Sequence, residues 1–277
     1  MTLEKLFYGD EQWLLFFASL AVFLLVFEAG YRLGKRTEGN IDEPTKSWIT
    51  TIDQVMLGML SLLLAFSFSM AEQRFDTRKR LVVDEANAIG TTYLRAQWLP
   101  EPRRTEISKL LRQYVDLRLP ADLQTRNEEE LVQQMAAQSD QLQDQLWSHA
   151  VEIAKRDSAS PIAALFIATL NETIDLQTKR LAAFRNHVPA IILLLLYLFA
   201  AFAILVTGYV SGFRSRQSLF VMFTMIGLLT FFLFVIVDLD RPQRGLITVS
   251  QESLIGLQKK LHADLTPPSA TRGQRRQ

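Results

Sequence analysis

Two runs in the second half of the chain carry no charge at all: residues 188–210, 23 long, and residues 219–237, 19 long. A helix rises 1.5 Å per residue, so about 20 apolar residues cross the roughly 30 Å hydrocarbon layer of a bilayer. Both runs are long enough to span, and a short polar connector separates them. They read as a membrane hairpin.

Two more apolar blocks lie near the N-terminal end. Residues 13–33 hold an apolar core from Trp13 to Phe27, followed by Glu28, Gly30 and Arg32. A signal peptide would place basic residues before the run and a small-residue cleavage site after it. Here Lys5 is offset by Glu4, Asp10 and Glu11, and Arg32, Lys35 and Arg36 follow the run, the order of a retained anchor. Residues 55–71 form a weaker block, with Ser61, Ser67 and Ser69 inside it. Such a block spans only if its polar face meets protein or water.

Four spans divide the chain into an N-terminal segment 1–12, spans one and two within 13–71, a polar segment 72–187, spans three and four within 188–238, and a C-terminal segment 239–277. The tail beyond Thr266, rich in Pro, Ser and Arg, reads as disordered. The polar segment is rich in long helix formers and lacks strand alternation and hairpin turns. Pro100, Pro102, Pro120 and Pro161 cut it into helices at 72–98, 103–118, 127–156 and 161–186. No Gly or Pro separates Leu60 from Ile89, so span two is expected to run on into the polar segment. Pro189 is expected to kink the matching junction before span three. The expected fold is an all-α integral membrane protein with four transmembrane helices and a helical domain between spans two and three.

Composition excludes several functions. With no cysteine there is no disulfide, thiolate metal site or Cys nucleophile. A net charge of +1 gives no footprint for nucleic acid. His149, His187 and His262 are scattered, and no phosphate loop, GxSxG or HExxH string occurs. Neither an enzyme nor a cofactor is expected.

Polar residues in the apolar blocks mark candidate sites. Glu28 and Arg32 are one turn apart and can pair; they fit either a gating role or an interfacial ion pair with Arg32 snorkelling. On span two, Leu62, Phe66 and Ser69 share a helical face, with Gly58 before them. Large apolar side chains among hydroxyls suit a dewetting gate, and the same pattern fits close helix packing at small residues. Asp238 and Asp240 end span four beside Arg241 and Arg244. Pairing with those arginines is the expectation there, and no metal site is assigned.

The string Leu62-Leu-Leu-Ala-Phe-Ser-Phe-Ser-Met-Ala-Glu-Gln-Arg-Phe-Asp-Thr-Arg-Lys-Arg80 resembles the bestrophin stretch in which an apolar pore segment runs into a basic one. Val83-Asp-Glu-Ala-Asn-Ala-Ile-Gly-Thr-Thr-Tyr-Leu-Arg95, Asp238-Leu-Asp-Arg-Pro242 and Val249-Ser-Gln251 are more closely similar to a bacterial bestrophin-like family. The resemblance covers about residues 10–260. It implies a homopentameric, anion-conducting channel in the inner membrane, with a narrow neck on the second helix. Carried over, the neck positions are Gly58, Leu62 and Phe66, with Ser69 beyond them and Arg74 and Arg78 at the cytosolic mouth. Gly58 departs from an apolar gate residue, Ser67 stands where bacterial bestrophins commonly carry Arg, and the calcium-binding acidic clasp of animal bestrophins has no match. The resemblance places the polar domain and both termini in the cytosol. Counting the short connectors alone, with Lys35, Arg36, Lys46, Arg214 and Arg216, points the other way. The implied partners are the lipid bilayer, further copies of the chain and inorganic anions.

Overall fold

A computed structural model describes residues 12–119, 128–213, 219–241 and 246–264. Among these the chain is helical, with no strand. The order is α1 (Gln12–Thr37), a short 3-10 turn at Glu38–Asn40, α2 (Glu43–Ala96), α3 (Arg103–Leu117), α4 (Glu128–Arg156), α5 (Pro161–Arg185), α6 (Ala190–Ser211), α7 (Leu219–Leu239) and α8 (Glu252–Ala263). Among the described residues four helices are long and apolar enough to cross a membrane. The N-terminal segment, the C-terminal tail, Pro120, Arg214, Arg216 and Arg244 lie outside the described residues.

Local sequence accounts for the helix ends. Proline needs no backbone donor in a first turn, which suits Pro44 in α2 and Pro161 at the start of α5. Pro100 and Pro102 stop α2 and precede α3. Span two is part of a single 54-residue helix, as the unbroken stretch predicts. The other junction differs from expectation. Residues 186–189 are not helical, so Pro189 sits in a full break instead of a kink. The freed amide of Val188 is taken by the Asp240 carboxylate at 2.7 Å, which offsets the loss of a helical bond.

The chain divides into two compact units, Met1–Phe75 with Asn186–Thr248, and Asp76–Arg185 with Val249–Gln277. In the first, Phe23 and Phe27 of α1 pack with Leu193, Leu196, Ala200, Ala203 and Ile204 of α6 and Ile226, Leu233 and Ile236 of α7. Lipid is as apolar as these side chains, so close packing rather than burial from water holds membrane helices together. Glycines make that possible where α1 crosses α6. A Cβ on Gly30 would strike the Leu205 carbonyl, one on Gly34 the Tyr209 carbonyl, and one on Gly208 the Phe27 carbonyl. Gly212 lies as close to the backbone of Tyr31 and Lys35. Gly30 and Gly34 of α1 thus meet Gly208 of α6 and Gly212 just past its end, and the backbones nearly touch. Thr37 Oγ1 hydrogen-bonds Tyr209 Oη at 2.9 Å beside the crossing.

The second unit packs amphipathic helices. Ile107, Leu111, Tyr114 and Val115 form the buried face of α3, spaced to fall on one side of a helix. Leu146 and Ala150 of α4 and Phe166 and Leu170 of α5 are buried with them. Helix α8 buries Leu254 and Leu261, and its Gln258 and His262 both reach Asp116 of α3, at 2.8 and 2.9 Å. This core also holds polar side chains. Thr92 and Thr173 share a hydrogen bond at 3.0 Å, and Gln143 donates to Tyr114 Oη at 3.1 Å. Burial pushes the Tyr114 hydroxyl pKa far up, with the Glu85 charge adding to it.

Candidate functional site

Within the first unit, α2 has a packed side and an open side. Asp53, Leu60, Ser67 and Ala71 are buried and recur at spacings of seven, seven and four. Opposite them, Gly58, Leu62, Phe66, Ser69 and Gln73 recur at four, four, three and four. Leu62 is 56% exposed and Phe66 60%. A Cβ on Gly58 would meet nothing within 4 Å. The exposed part of α2 also carries Thr51, Gln54, Ser61 and Glu72, together with Val55, Met59 and Leu63, so it mixes small or polar residues with large apolar ones. Hydroxyls on this helix are partly satisfied by the helix itself: Ser61 Oγ donates to Leu57 O at 2.9 Å, and Gln73 Nε2 reaches Ser69 Oγ at 3.4 Å.

The open sides of the other membrane helices have a different chemistry. Helix α7 shows Phe220, Val221, Phe223, Leu228 and Phe231, and α6 shows Ile191, Leu195, Leu198 and Phe202. These suit hydrocarbon. The α2 face differs in setting Gly58 and Ser61 among its exposed apolar side chains, with Gln54 at one end of the apolar block and Glu72 and Gln73 at the other.

The two arginines expected at the mouth do not share this face. Arg74 and Arg78 continue the packed series beyond Ala71, at spacings of three and four. Arg74 is half-buried and donates through Nη1 to Met70 O at 3.3 Å. In the second unit, Arg78 is buried, with Nε donating to Ala183 O at 3.1 Å. By helical phase Arg74 and Arg78 fall on the side of α2 that carries Ala71, and the exposed side beyond Ser69 carries Glu72 and Gln73.

Glu28 and Arg32 form an ion pair, Arg32 Nε donating to Glu28 Oε1 at 2.7 Å. Both side chains are exposed, on the side of α1 that also shows Leu25 and Leu33. The pair cancels its own charge within one helical turn.

Three polar residues of this unit have roles that the sequence reading did not assign. Asp53 is buried and accepts a hydrogen bond from Thr207 Oγ1 at 2.7 Å. It sits just outside the apolar block drawn from residue 55, which hid it. Asp238 accepts from the Leu246 amide at 3.0 Å and the Ile247 amide at 3.0 Å, fastening the segment that follows α7. Asp240, fully buried, holds Val188, and His187 Nδ1 lies 3.6 Å from its Oδ2. Among the described residues no group of three or more acidic or His side chains could hold a metal ion.

Comparison with known proteins agrees with this architecture. The bestrophin-like domain matches residues 19–254. No curated protein and no solved structure matches the chain. The matched span takes in most of α1, the other three membrane helices found among the described residues, the open face of α2, the helical segment between them and the aspartates at the end of α7, so this membrane protein belongs to the bestrophin-like domain family.

Proposed function

We propose that the chain is one subunit of an oligomeric ion channel whose pore is lined by the open face of α2. The observation that carries this reading is the contrast in chemistry between that face and the open faces of α6 and α7. A helix that exposes Gly58 and Ser61 within its apolar block, half-exposes Ser69, and carries exposed Gln54 and Glu72 at the block's two ends fits one that meets water or a second copy. Around a symmetry axis, Leu62 and Phe66 would form apolar rings that hold the path closed by excluding water. Anion conduction, a pentameric ring, an inner-membrane location and a cytosolic position for the 72–187 segment and both termini follow the family relation. So does the absence of enzyme activity.

The test is ion flux through the purified protein in liposomes, under chloride and under sodium gradients. Chloride-selective flux is expected, rising in Leu62→Ala combined with Phe66→Ala because a wider, less apolar neck wets more readily. No flux from either form, in a verified oligomer, would sink the channel reading. One observation favours a second reading, a non-conducting scaffold or sensor. The second unit exposes Leu94, Trp98, Ile162 and Leu165, apolar side chains suited to a protein partner.

A further inference from the structure

The core of the second unit buries an unbalanced charge. Glu85 of α2 has 0% side-chain exposure, and both of its charged neighbours are arginines. Arg180 of α5 hydrogen-bonds Oε2, and Arg118, at the end of α3, places Nε 2.9 Å from Oε1. The arginine side chains are only 10% (Arg118) and 13% (Arg180) exposed. Their other partners are neutral: Arg180 Nη2 donates to Gln251 Oε1 at 2.7 Å. Nearby, Tyr114, Gln143 and Gln177 link through hydrogen bonds of 3.1 and 3.4 Å. Among the described residues no second carboxylate pairs with either arginine. One carboxylate thus faces two guanidinium groups, which stay protonated in proteins.

An uncompensated buried cation costs several kcal/mol in real interiors. Burial is the largest influence on Arg180 and lowers its pKa; Glu85 opposes that, and the neighbouring Arg118 adds repulsion. The hydrogen bonding is incomplete as well. Arg118 Nε and Glu85 Oε1 are close but not aligned as donor and acceptor, and neither makes a hydrogen bond; Ser139 Oγ, also buried, makes none. Among the described residues the core therefore has an excess of one positive charge, and Arg118, nine-tenths buried, donates to Glu85 Oε2 only through Nη2 at 3.5 Å while its Nε makes no hydrogen bond.

We propose that Arg118 binds a small monovalent inorganic anion, of halide size, as a structural counter-ion of the second unit. One negative charge balances the excess, and an acceptor-only ion matches an unused N–H donor. A divalent oxyanion would reverse the imbalance and demand more donors than this core leaves free. The site is independent of whether α2 lines a pore.

The test uses the full-length chain in detergent, with thermal unfolding followed by tryptophan fluorescence. Chloride or bromide replaces gluconate at constant ionic strength. The expected result is a saturable rise in Tm of about 2–4 °C with halide. Arg118→Met leaves Glu85 and Arg180 as a balanced pair. It should abolish the halide response and unfold in gluconate at or above the wild-type temperature. Leu62→Ala should keep the full response, which separates this site from any ion held in a pore. Equal unfolding temperatures in halide and gluconate would overturn the proposal. So would a response that survives Arg118→Met, or an equal rise with sulfate, which marks general salt exclusion. Should Arg118→Met fail to fold, bromide anomalous scattering from wild-type crystals decides: a peak beside Arg118 supports the site, and its absence rejects it.

Discussion

Gly58 and Gly208 carry opposite consequences, although both sit in membrane helices. A methyl group on Gly208 would drive into the Phe27 carbonyl of α1, whereas one on Gly58 would meet open space. Gly208→Ala is therefore expected to destabilise by about 1–3 kcal/mol through overpacking against backbone. Gly58→Ala should be neutral or stabilising by up to about 1 kcal/mol, the helix-propensity gain. Thermal unfolding of the two variants in the same detergent measures the difference, and a Gly208→Ala protein as stable as wild type would contradict the tight crossing. Asp238 makes a second case. Its buried carboxylate accepts both amides, and alanine would leave them without that acceptor. Asp238→Ala should cost about 1–3 kcal/mol, the penalty of unsatisfied buried groups, with faster amide exchange at Leu246 and Ile247. Neither role was legible beforehand, for different reasons. Glycines four apart are visible in any sequence, but their partners lie some 175 residues away. Asp238 next to Arg241 invites pairing with that charge, and only the fold reveals the amides above it.

At the scale of elements, segment-intrinsic properties were readable and pairwise ones were not. The apolar runs, the proline stops and the uninterrupted stretch through Leu60 and Ile89 each belong to a single segment, and α2, α3, α4 and α5 end within two residues of where those signals place them. The junction before α6 is different. A proline alone permits either a kinked helix or a break, and the outcome depends on whether something else satisfies the freed amide. Here Asp240 does. This leads to a separable prediction. Pro189→Ala should leave the Val188 amide protected from hydrogen exchange, because its acceptor remains. Asp240→Ala should raise exchange at Val188 by an order of magnitude or more, as an unmet buried donor of about 1–3 kcal/mol implies. The reverse ranking would mean that the proline, not the carboxylate, sets the break. Helical phase also belongs to this scale. Arg74 and Arg78 follow the neck in sequence, and counting threes and fours from Ala71 sets them on the same side of α2 as Ala71.

For the whole molecule, what a single chain leaves exposed is the best guide to what its assembly covers or wets. Apolar faces on α6 and α7 are complete once a bilayer surrounds them. The face of α2 is not, and the absence of cysteine makes the question directly accessible. Single cysteines can be placed at Leu62, Phe66, Ser69 and Gln73 on the open side, at Ser67 and Ala71 on the packed side, and at Leu195 and Phe223 on the apolar faces. A charged thiol reagent reacts with thiolate in water and is excluded from hydrocarbon and from packed interiors. With the protein in liposomes, modification is expected at Ser69 and Gln73, slower at Leu62 and Phe66 where an apolar neck limits wetting, and undetectable at the other four positions. If flux is present, modification at Ser69 should block most of it. Uniform protection along the open face would place a second protein surface there instead of water, and would shift the reading toward a packed scaffold. Reaction at Leu195 or Phe223 as fast as at Ser69 would remove the distinction between wet and lipid-facing helices on which the channel reading rests.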